Sequence, residues 1–559
     1  MKTAFIFLVF LNLSNMLNAQ LKYIVEDFEG IADGPLNNKN GSGVFTYGNI
    51  KASISNKINI TNSQNTYLGE RCIQIKQEGK MEYGGWGKGL GMNVNLNANQ
   101  DYLNFYILSK AKDNFIDTIK IEIQEDDNDN NVYEKDRDDS WTYIIKPDEF
   151  PSMSKDKSMW QLVSIPLNKF SDNNSGGDGD FNISYKKGKL FCVIFSFPNT
   201  SKVSTDYAFD FICFSQGKLP TGTSVINSPL AGLNDFCNLG AWSKEGTPGN
   251  FSDIAYGFEN NFNSGKRNGT DKKLGIVHFF QPFSLDGGTQ QNNYPSVERI
   301  NKVIENGYVP MITLEDHFAK ISSTKKQPNL YSITEGHFDD FFAVWAKQLK
   351  QVKGTILLRI LHEFNGDWYP WCIANNDKNP ALLVAAFKKI HTIFQQQGAT
   401  NVKFIWCANS TSFPQEKWNF VMDAYPGDEY VDFVALDIYN GAGKGLPVWR
   451  SFRKEGIENY FVLTQQIPDK PLFVCETSSR ERKESEAKPA QDKAEWIIQM
   501  SDALQTDMSQ IRLLTWFNEK ETFKVNSSPE AKNAYQNYVW KNDYFKTGIE
   551  FLSPMLGSK

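Results

Sequence analysis

Between residues 20 and 216 the apolar positions fall in short runs, several of them alternating with polar ones, cut by clusters of Gly, Asn and Asp. Asp101–Leu108, Thr118–Gln124, Trp160–Pro166, Phe191–Phe197 and Tyr207–Cys213 read as strands, and no 3.6-residue periodicity interrupts them. Short strands without helices predict an antiparallel β-sandwich of jelly-roll type over residues 20–216. Residues 217–229, with Pro, Gly, Ser and Thr, read as a linker. From residue 230 to 559 the pattern becomes apolar strand, then amphipathic helix, repeated. Leu239–Trp242, Leu274–Phe280, Val309–Glu315, Ile356–Glu363, Val402–Ala408, Phe433–Tyr439, Pro471–Glu476 and Ile511–Asn518 are the predicted strands. Ser296–Glu305, His337–Gln351, Pro380–Gln397 and Gln491–Leu504 are the predicted helices. Such alternation implies a parallel sheet covered on both faces. Eight strands point to a (β/α)8 TIM barrel, whose sites lie at the carboxyl ends of the strands. The competing doubly wound sheet would place a Gly-rich phosphate turn after its first strand, and none follows here.

The chain has 559 residues and a formal charge of −6, with 59 Lys and Arg against 65 Asp and Glu. No basic face is expected from that balance, which argues against a nucleic-acid partner. The start of the chain is set apart. Lys2 is followed by the apolar run Ala4–Leu13, about ten residues and too short to span a bilayer, with Leu17-Asn18-Ala19 as a cleavage site. Residues 1–19 therefore read as an export signal, and the expected location is secreted or periplasmic, with no membrane association after cleavage. Aromatic residues make up 14% of the chain, a share that suits β-rich packing or stacking on flat ligands. The seven cysteines fit no metal or redox spacing, and most sit in apolar runs as small hydrophobes.

In a barrel, the polar residues that end each strand are the candidate chemistry. The fourth strand runs into His362-Glu363-Phe364-Asn365-Gly366-Asp367-Trp368-Tyr369-Pro370-Trp371, and the seventh into Cys475-Glu476-Thr477-Ser478. Two carboxylates at one mouth, one protonated and one ionised, are what cleavage of a glycosidic bond needs. Trp242, Trp368, Trp371, Tyr439 and Trp516 would surround them with faces able to stack on sugar rings. Glu476 could instead be an ion-pair partner of Arg359 or Arg480, and Trp242 and Trp516 could be core residues. A zinc motif His-Glu-x-x-His is excluded, because Gly366 stands where the second His belongs.

The His362–Trp371 run resembles the His-Glu-Met-Asn-Gly signature of glycoside hydrolase family 26, with Phe364 at the Met position. The resemblance covers about residues 230–545 and implies a retaining hydrolase of β-linked polysaccharides that acts as a monomer and needs no cofactor for catalysis. It makes Glu363 the general acid/base and Glu476 the nucleophile. It also places Trp368 at the sugar subsite beside the cleaved bond, Tyr439 as a donor to the nucleophile, and His362 and Arg359 as supports of the carboxylates. Trp516 becomes a stacking floor, and Asn365, Trp371 and Trp242 further substrate contacts. The third strand ends Ile312-Thr313-Leu314-Glu315, where mannanases of the family usually carry a Trp-His pair. Glu315 resembles the glucanase members and favours an endo-β-glucanase acting on mixed-linkage β-1,3-1,4-glucan. His317, two residues on, keeps endo-β-1,4-mannanase as the alternative. A β-1,3-xylanase, a transglycosylase and a glycan-binding protein without catalysis are more distant readings.

The amino-terminal half resembles family 11-type carbohydrate-binding modules through Val25–Glu29, Tyr83–Gly87, Trp160–Leu167 and Phe209–Ile212. That resemblance implies a structural calcium, with Glu29 and Asp210 as candidate ligands. It also offers Trp86, Tyr133 and Trp141 as glycan-stacking residues, unless they belong to the core or lie against the barrel. The acidic run Glu125–Asp129 lacks the Gly and terminal Glu of a calcium loop and reads as a solvated strand end.

Overall fold

The computed structural model describes residues 19–31, 33–36, 42–55, 68–69, 71–78, 83–109, 118–146, 160–197, 204–219, 236–243, 251–263, 272–285, 294–315, 328–441, 449–481, 492–549 and 552–556. The export segment up to residue 18, linker residues 220–229 and His317 lie outside the described residues.

Two antiparallel sheets form the first half. One runs Gln161–Pro166, Asp101–Ser109, Ser204–Gln216, Cys72–Glu78, Lys51–Ser55 and Gly34–Pro35, with Gln20–Glu26 also paired to Ser204–Gln216. The other runs Ser171–Asp172, Ser140–Ile145, Ile119–Asp126, Lys189–Phe197, Gly84–Met92 and Val44–Gly48. Alternation sets which side chains meet. In Ile119–Asp126 the residues Ile119, Ile121 and Ile123 are buried, while the intervening Lys120, Glu122 and Gln124 are only partly so. Trp86 is buried between the sheets and stacks on Phe195 at 4.7 Å, and Trp141 is buried against Phe181. Trp86 and Trp141 are thus core residues rather than glycan platforms. Tyr133 is partly buried and stacks on Phe191.

The second half is a closed ring of eight parallel strands. They are β1 (Cys237–Ser243), β2 (Ile276–Pro282), β3 (Val309–Glu315), β4 (Ile356–Arg359), β5 (Val402–Asn409), β6 (Phe433–Asn440), β7 (Leu472–Ser479) and β8 (Ile511–Asn518). β8 pairs with β1 through Trp242 and Phe517, and β1 pairs with β2 through Gly240 and Ile276, which closes the sheet. Ile276, Met311, Leu357, Ile405, Ala435, Phe473 and Leu513 fill the ring near the amino ends of the strands. Two residues further along each strand the inward positions turn polar, with His278, Thr313, Arg359, Cys407, Asp437 and Thr515.

Helices follow most strands. Pro380–Gln397 begins where Asn379 accepts from the Ala381 N–H and Pro380 enters the first turn. Phe452–Gln466 escapes a periodicity search because it is buried on nearly every side, with the polar Arg453, Glu455, Asn459 and Thr464 buried alongside Phe452, Ile457, Tyr460 and Leu463. Its outer face is covered by the sandwich. Lys22 lies over the Phe461 ring at 5.1 Å, Ser451 donates to Asp27 at 2.6 Å, and Lys454 pairs with Glu26 at 2.6 Å. One apolar core runs from Leu21, Ile24, Tyr106, Leu108 and Leu162 of the sandwich into the helices of the barrel.

Candidate active site

β4 stops at Arg359, four residues short of its predicted end at Glu363. The chain then leaves the sheet through two left-handed residues, Leu361 and Glu363, both at φ 51°. Side chains with a Cβ adopt that conformation rarely, and held strain of this kind gathers at functional sites. The turn is fastened from both sides. The Glu363 N–H donates to the Cys407 carbonyl at 3.0 Å, and Trp371 Nε1 donates to the His362 carbonyl at 2.7 Å. Trp368 folds back over Gly366, where a Cβ would sit 2.5 Å from the indole. Its Nε1 donates to Glu363 Oε2 at 2.7 Å.

Glu476 reaches the same mouth from β7. The register of β7 slips against both neighbours beside Cys475 and Glu476, so consecutive residues can turn inward where strict alternation would send one of them out. The guanidinium of Arg359, fully buried, donates to Glu476 Oε1 and to Asp437 Oδ2. Its Nε donates to Thr313 Oγ1, which also meets His278 Nε2, both at 2.8 Å. Tyr439 Oη donates to Glu476 Oε2 at 2.6 Å.

The two carboxyl groups therefore sit in opposite surroundings. Burial, then the negative charge of Asp437, pushes Glu363 up to about 8, although the Trp368 indole partly offsets them. At neutral pH it keeps its proton. Glu476 faces a guanidinium and a phenol, both of which donate to a carboxylate. Environments that differ in this way push the titration of two identical side chains apart, as a division of acid and base roles requires.

Behind Glu363, Tyr369 donates to Glu315 Oε2 at 2.9 Å, and His362 Nε2 lies 3.1 Å from Tyr369 Oη. Burial, then Arg359, keeps His362 below its ordinary value, so the imidazole is neutral. His362 is buried and stands behind the acid rather than in the cleft. Glu315 is also buried, at the end of β3.

Three predicted sugar contacts point elsewhere. Trp516 is fully buried outside the ring, against Trp496 and Tyr535. With Leu513 and Thr515 inward, the two-residue period sends Trp516 to the helix layer and Phe517 to the mouth. Trp371 is buried against Phe283 and Tyr369. Asn365 is likewise buried; its amide donates to the Asn409 carbonyl and Ser412 Oγ and accepts from the Asn409 N–H. It ties two loops together.

Trp242 remains at the mouth, with Nε1 on Glu519 Oε2 at 2.8 Å. It begins an aromatic arc that sequence reading missed in part: Trp242, Phe280, Phe517 and Tyr439, with successive ring centroids 5.2, 6.1 and 5.8 Å apart. Asp437 was missed as well. Counting alternate positions back from Tyr439 along β6 would have found it.

Glu29 and Asp210, the candidate calcium ligands, are both buried; burial raises the pKa of each, and the charge of Glu29 raises that of Asp210 further. Arg71 already answers Glu29, with its N–H at 2.8 Å and its guanidinium at 3.7 Å. Among the described residues no third His, Cys, Asp or Glu side chain joins them in a group of ligating atoms.

Residues 305–449 match the family model described as Glycosyl hydrolase family 26. Endoglucanase H of Acetivibrio thermocellus is 32% identical over 280 residues, covering 48% of this chain and 28% of that protein. A mannan endo-1,4-beta-mannosidase of Bacillus subtilis is 32% identical over 97 residues, covering 16% of this chain and 25% of its own length. The chain thus spans about a quarter of these curated relatives. The Podospora anserina GH26-CBM35 beta-(1,4)-mannanase structure overlays 92% of this chain and all of its own at 12% identity, with a TM-score of 0.41. The barrel assignment rests on the closed strand order itself and not on that overlay.

Proposed function

We propose, from a barrel whose residues 305–449 match the glycosyl hydrolase family 26 model, that the chain is a secreted, retaining endo-β-glycanase whose first substrate is mixed-linkage β-1,3-1,4-glucan. The observation that carries the hydrolase reading is the contrast between Glu363, protonated beside Trp368, and Glu476, bonded by Arg359 and Tyr439. In the first step Glu476 attacks the anomeric carbon as Glu363 gives its proton to the departing glycosidic oxygen. In the second, Glu363 takes a proton from water, which displaces Glu476 and restores both groups. Retention of configuration requires the carboxyl groups to lie about 5–5.5 Å apart.

Glucan is favoured by Glu315 at the end of β3 and by the longer of the two curated matches, to a protein named an endoglucanase. The Bacillus subtilis relative, named for mannan, supports β-1,4-mannan as the second reading. The jelly-roll module acts as a docked support, since Trp86 and Trp141 are spent in its own core. Purified protein is to be assayed on barley β-glucan, glucomannan, galactomannan, β-1,3-xylan and carboxymethylcellulose, with products sized by chromatography. Short oligosaccharides mainly from barley β-glucan are expected. Release mainly from the mannans would transfer the substrate and keep the mechanism. Binding without any product, in wild type as in Glu363→Gln, would replace the enzyme by a glycan-binding protein.

A further inference from the structure

The acidic run at residues 125–129 does not end as a solvated strand. Glu125 closes the inward face of the strand Ile119–Asp126 and is fully buried. Thirteen residues of loop later the chain returns as Ser140–Ile145, paired antiparallel with it, and Asp139 stands just ahead of that strand, also fully buried. Asp127 lies between them. Its Oδ2 accepts the Asp139 N–H at 2.7 Å. One oxygen from each of Glu125, Asp127 and Asp139 lies within 4.8 Å of the other two.

Their neighbours behave differently. Asp126 accepts the N–H groups of Asn130 and Asn131, and Asp138 those of Asp127 and Glu134, so both are spent on the loop backbone. Glu125 Oε1, Asp127 Oδ1 and Asp139 Oδ1 are buried and meet no donor. Among the described residues no Lys, Arg or His pairs with any of the three. The nearby Lys189 is taken by Asp129 and Asn131. A second loop, residues 173–188, closes the place with bare backbone. A Cβ on Gly177 would meet Asp139 Oδ1 at 2.1 Å, and one on Gly188 would meet Glu125 Oε1 at 2.2 Å.

An orphaned buried carboxylate oxygen is costly, and three facing one point are costlier still. Burial and mutual repulsion push Glu125 up to about 9 and Asp127 up to about 6. A cation at the common point answers all three at once. We propose that Glu125, Asp127 and Asp139 bind a hard divalent cation, calcium, which fixes the two loops by which the sandwich docks on the barrel. The ligand set is all oxygen, without His or Cys, which selects against zinc and copper. Calcium–oxygen bonds of about 2.4 Å allow oxygens on opposite sides of the ion to stand about 4.8 Å apart, wider than magnesium permits.

The docking role follows from what the same loops touch. Tyr185 stacks on Phe420 of the barrel at 4.3 Å, Lys186 pairs with Asp423, and Asp129 lies 3.4 Å from Lys417. Asn419, in that barrel segment, donates to the Asn365 carbonyl at 2.8 Å, two residues from Glu363. The ion would thus stiffen a contact that ends at the loop carrying the acid.

The full chain, stripped with EDTA, is titrated with calcium in a calorimeter and melted with and without the ion. Wild type should bind and melt higher with calcium. Asp139→Asn, Asp127→Asn and Glu125→Gln should each weaken binding at least roughly tenfold, as expected for loss of a direct ligand. In EDTA these variants should melt no lower than wild type, because each removes one of three crowded carboxyl groups, each of which has a buried oxygen without a donor. Terbium offers a second readout. Trp141 Nε1 donates to Glu125 Oε2 at 3.1 Å, close enough to sensitise an ion held there. Tryptophan-excited terbium emission should appear in wild type, be displaced by calcium and be lost in Asp139→Asn. Absence of any calcium response in wild type overturns the proposal, as does a response that survives unchanged in all three variants.

Discussion

At Glu363 the proposed acid role and a stability effect follow from the same buried carboxyl. Its carboxyl is held at about 8 in the native protein and would titrate near 4.3 in the unfolded chain. The native state therefore binds the extra proton between those values, and stability falls as pH rises across that window. Glu363→Gln abolishes the cost. Its melting temperature should exceed that of wild type at pH 7 and converge with it below about pH 4, as calorimetry would show. The same variant should lose roughly 100- to 10,000-fold in activity on substrates with poor leaving groups, the usual worth of a general acid. In wild type, kcat/KM should fall as pH rises through about 8, where the proton to be donated is lost. Tyr439 acts on the partner carboxylate. A hydrogen bond to a charged acceptor contributes about 1.5–3 kcal/mol, so Tyr439→Phe should lower the melting temperature by a few degrees at most and kcat/KM by roughly 10- to 100-fold.

Among the elements, the pairing of strand Gln20–Glu26 with helix Phe452–Gln466 joins the halves of the chain. Glu26 is buried, and burial alone would raise its pKa. Lys454 and Lys88 outweigh that and hold it down at about 2. The pair's contribution is full above about pH 4.5, where the unfolded chain is also ionised, and is lost as pH falls toward 2. Lys454→Met should move the acid-unfolding midpoint to higher pH, followed by circular dichroism. The loss at neutral pH should be less than the roughly 3–5 kcal/mol of a wholly stripped buried charge, because Lys88 remains. The barrel strands were legible at this scale because each is a run of apolar residues buried on both faces. The helix was not, since the burial that hides it from a 3.6-residue search comes from the sandwich. β4 also read too long: Ile360 and Leu361 continue the apolar run, but the left-handed turn at Leu361 has already left the sheet.

For the whole molecule, the sandwich is part of the barrel's packing and not an appendage. Leu21, Ile24, Tyr106, Leu108 and Leu162 share one core with the barrel helices, and the outer side of Phe452–Gln466 has no other cover among the described elements. Expressing residues 230–559 alone should expose Phe461 and leave Ser451 and Lys454 without their sandwich partners. The expected result is aggregation or a markedly lower melting temperature, measured by light scattering and calorimetry against the full chain. An isolated barrel as stable as the full chain would refute the shared core.

Local sequence determined the classes of element, the eight-strand count and the pair of glutamates, because strand periodicity and strand-end polarity are written in neighbouring residues. Direction and partnership came only from the fold. Trp516 and Phe517 are equally aromatic and adjacent, yet the barrel's pleat buries the first beneath helices and turns the second to the mouth. Asn365 and Trp371 sit in the signature run beside Glu363, but their atoms are spent bracing the loop that aims it. Glu125 and Asp139 are separated by a loop that reads as polar and solvated. Only sheet pairing and a third segment, folded over them with glycines, bring their oxygens to one buried point where charge must be answered.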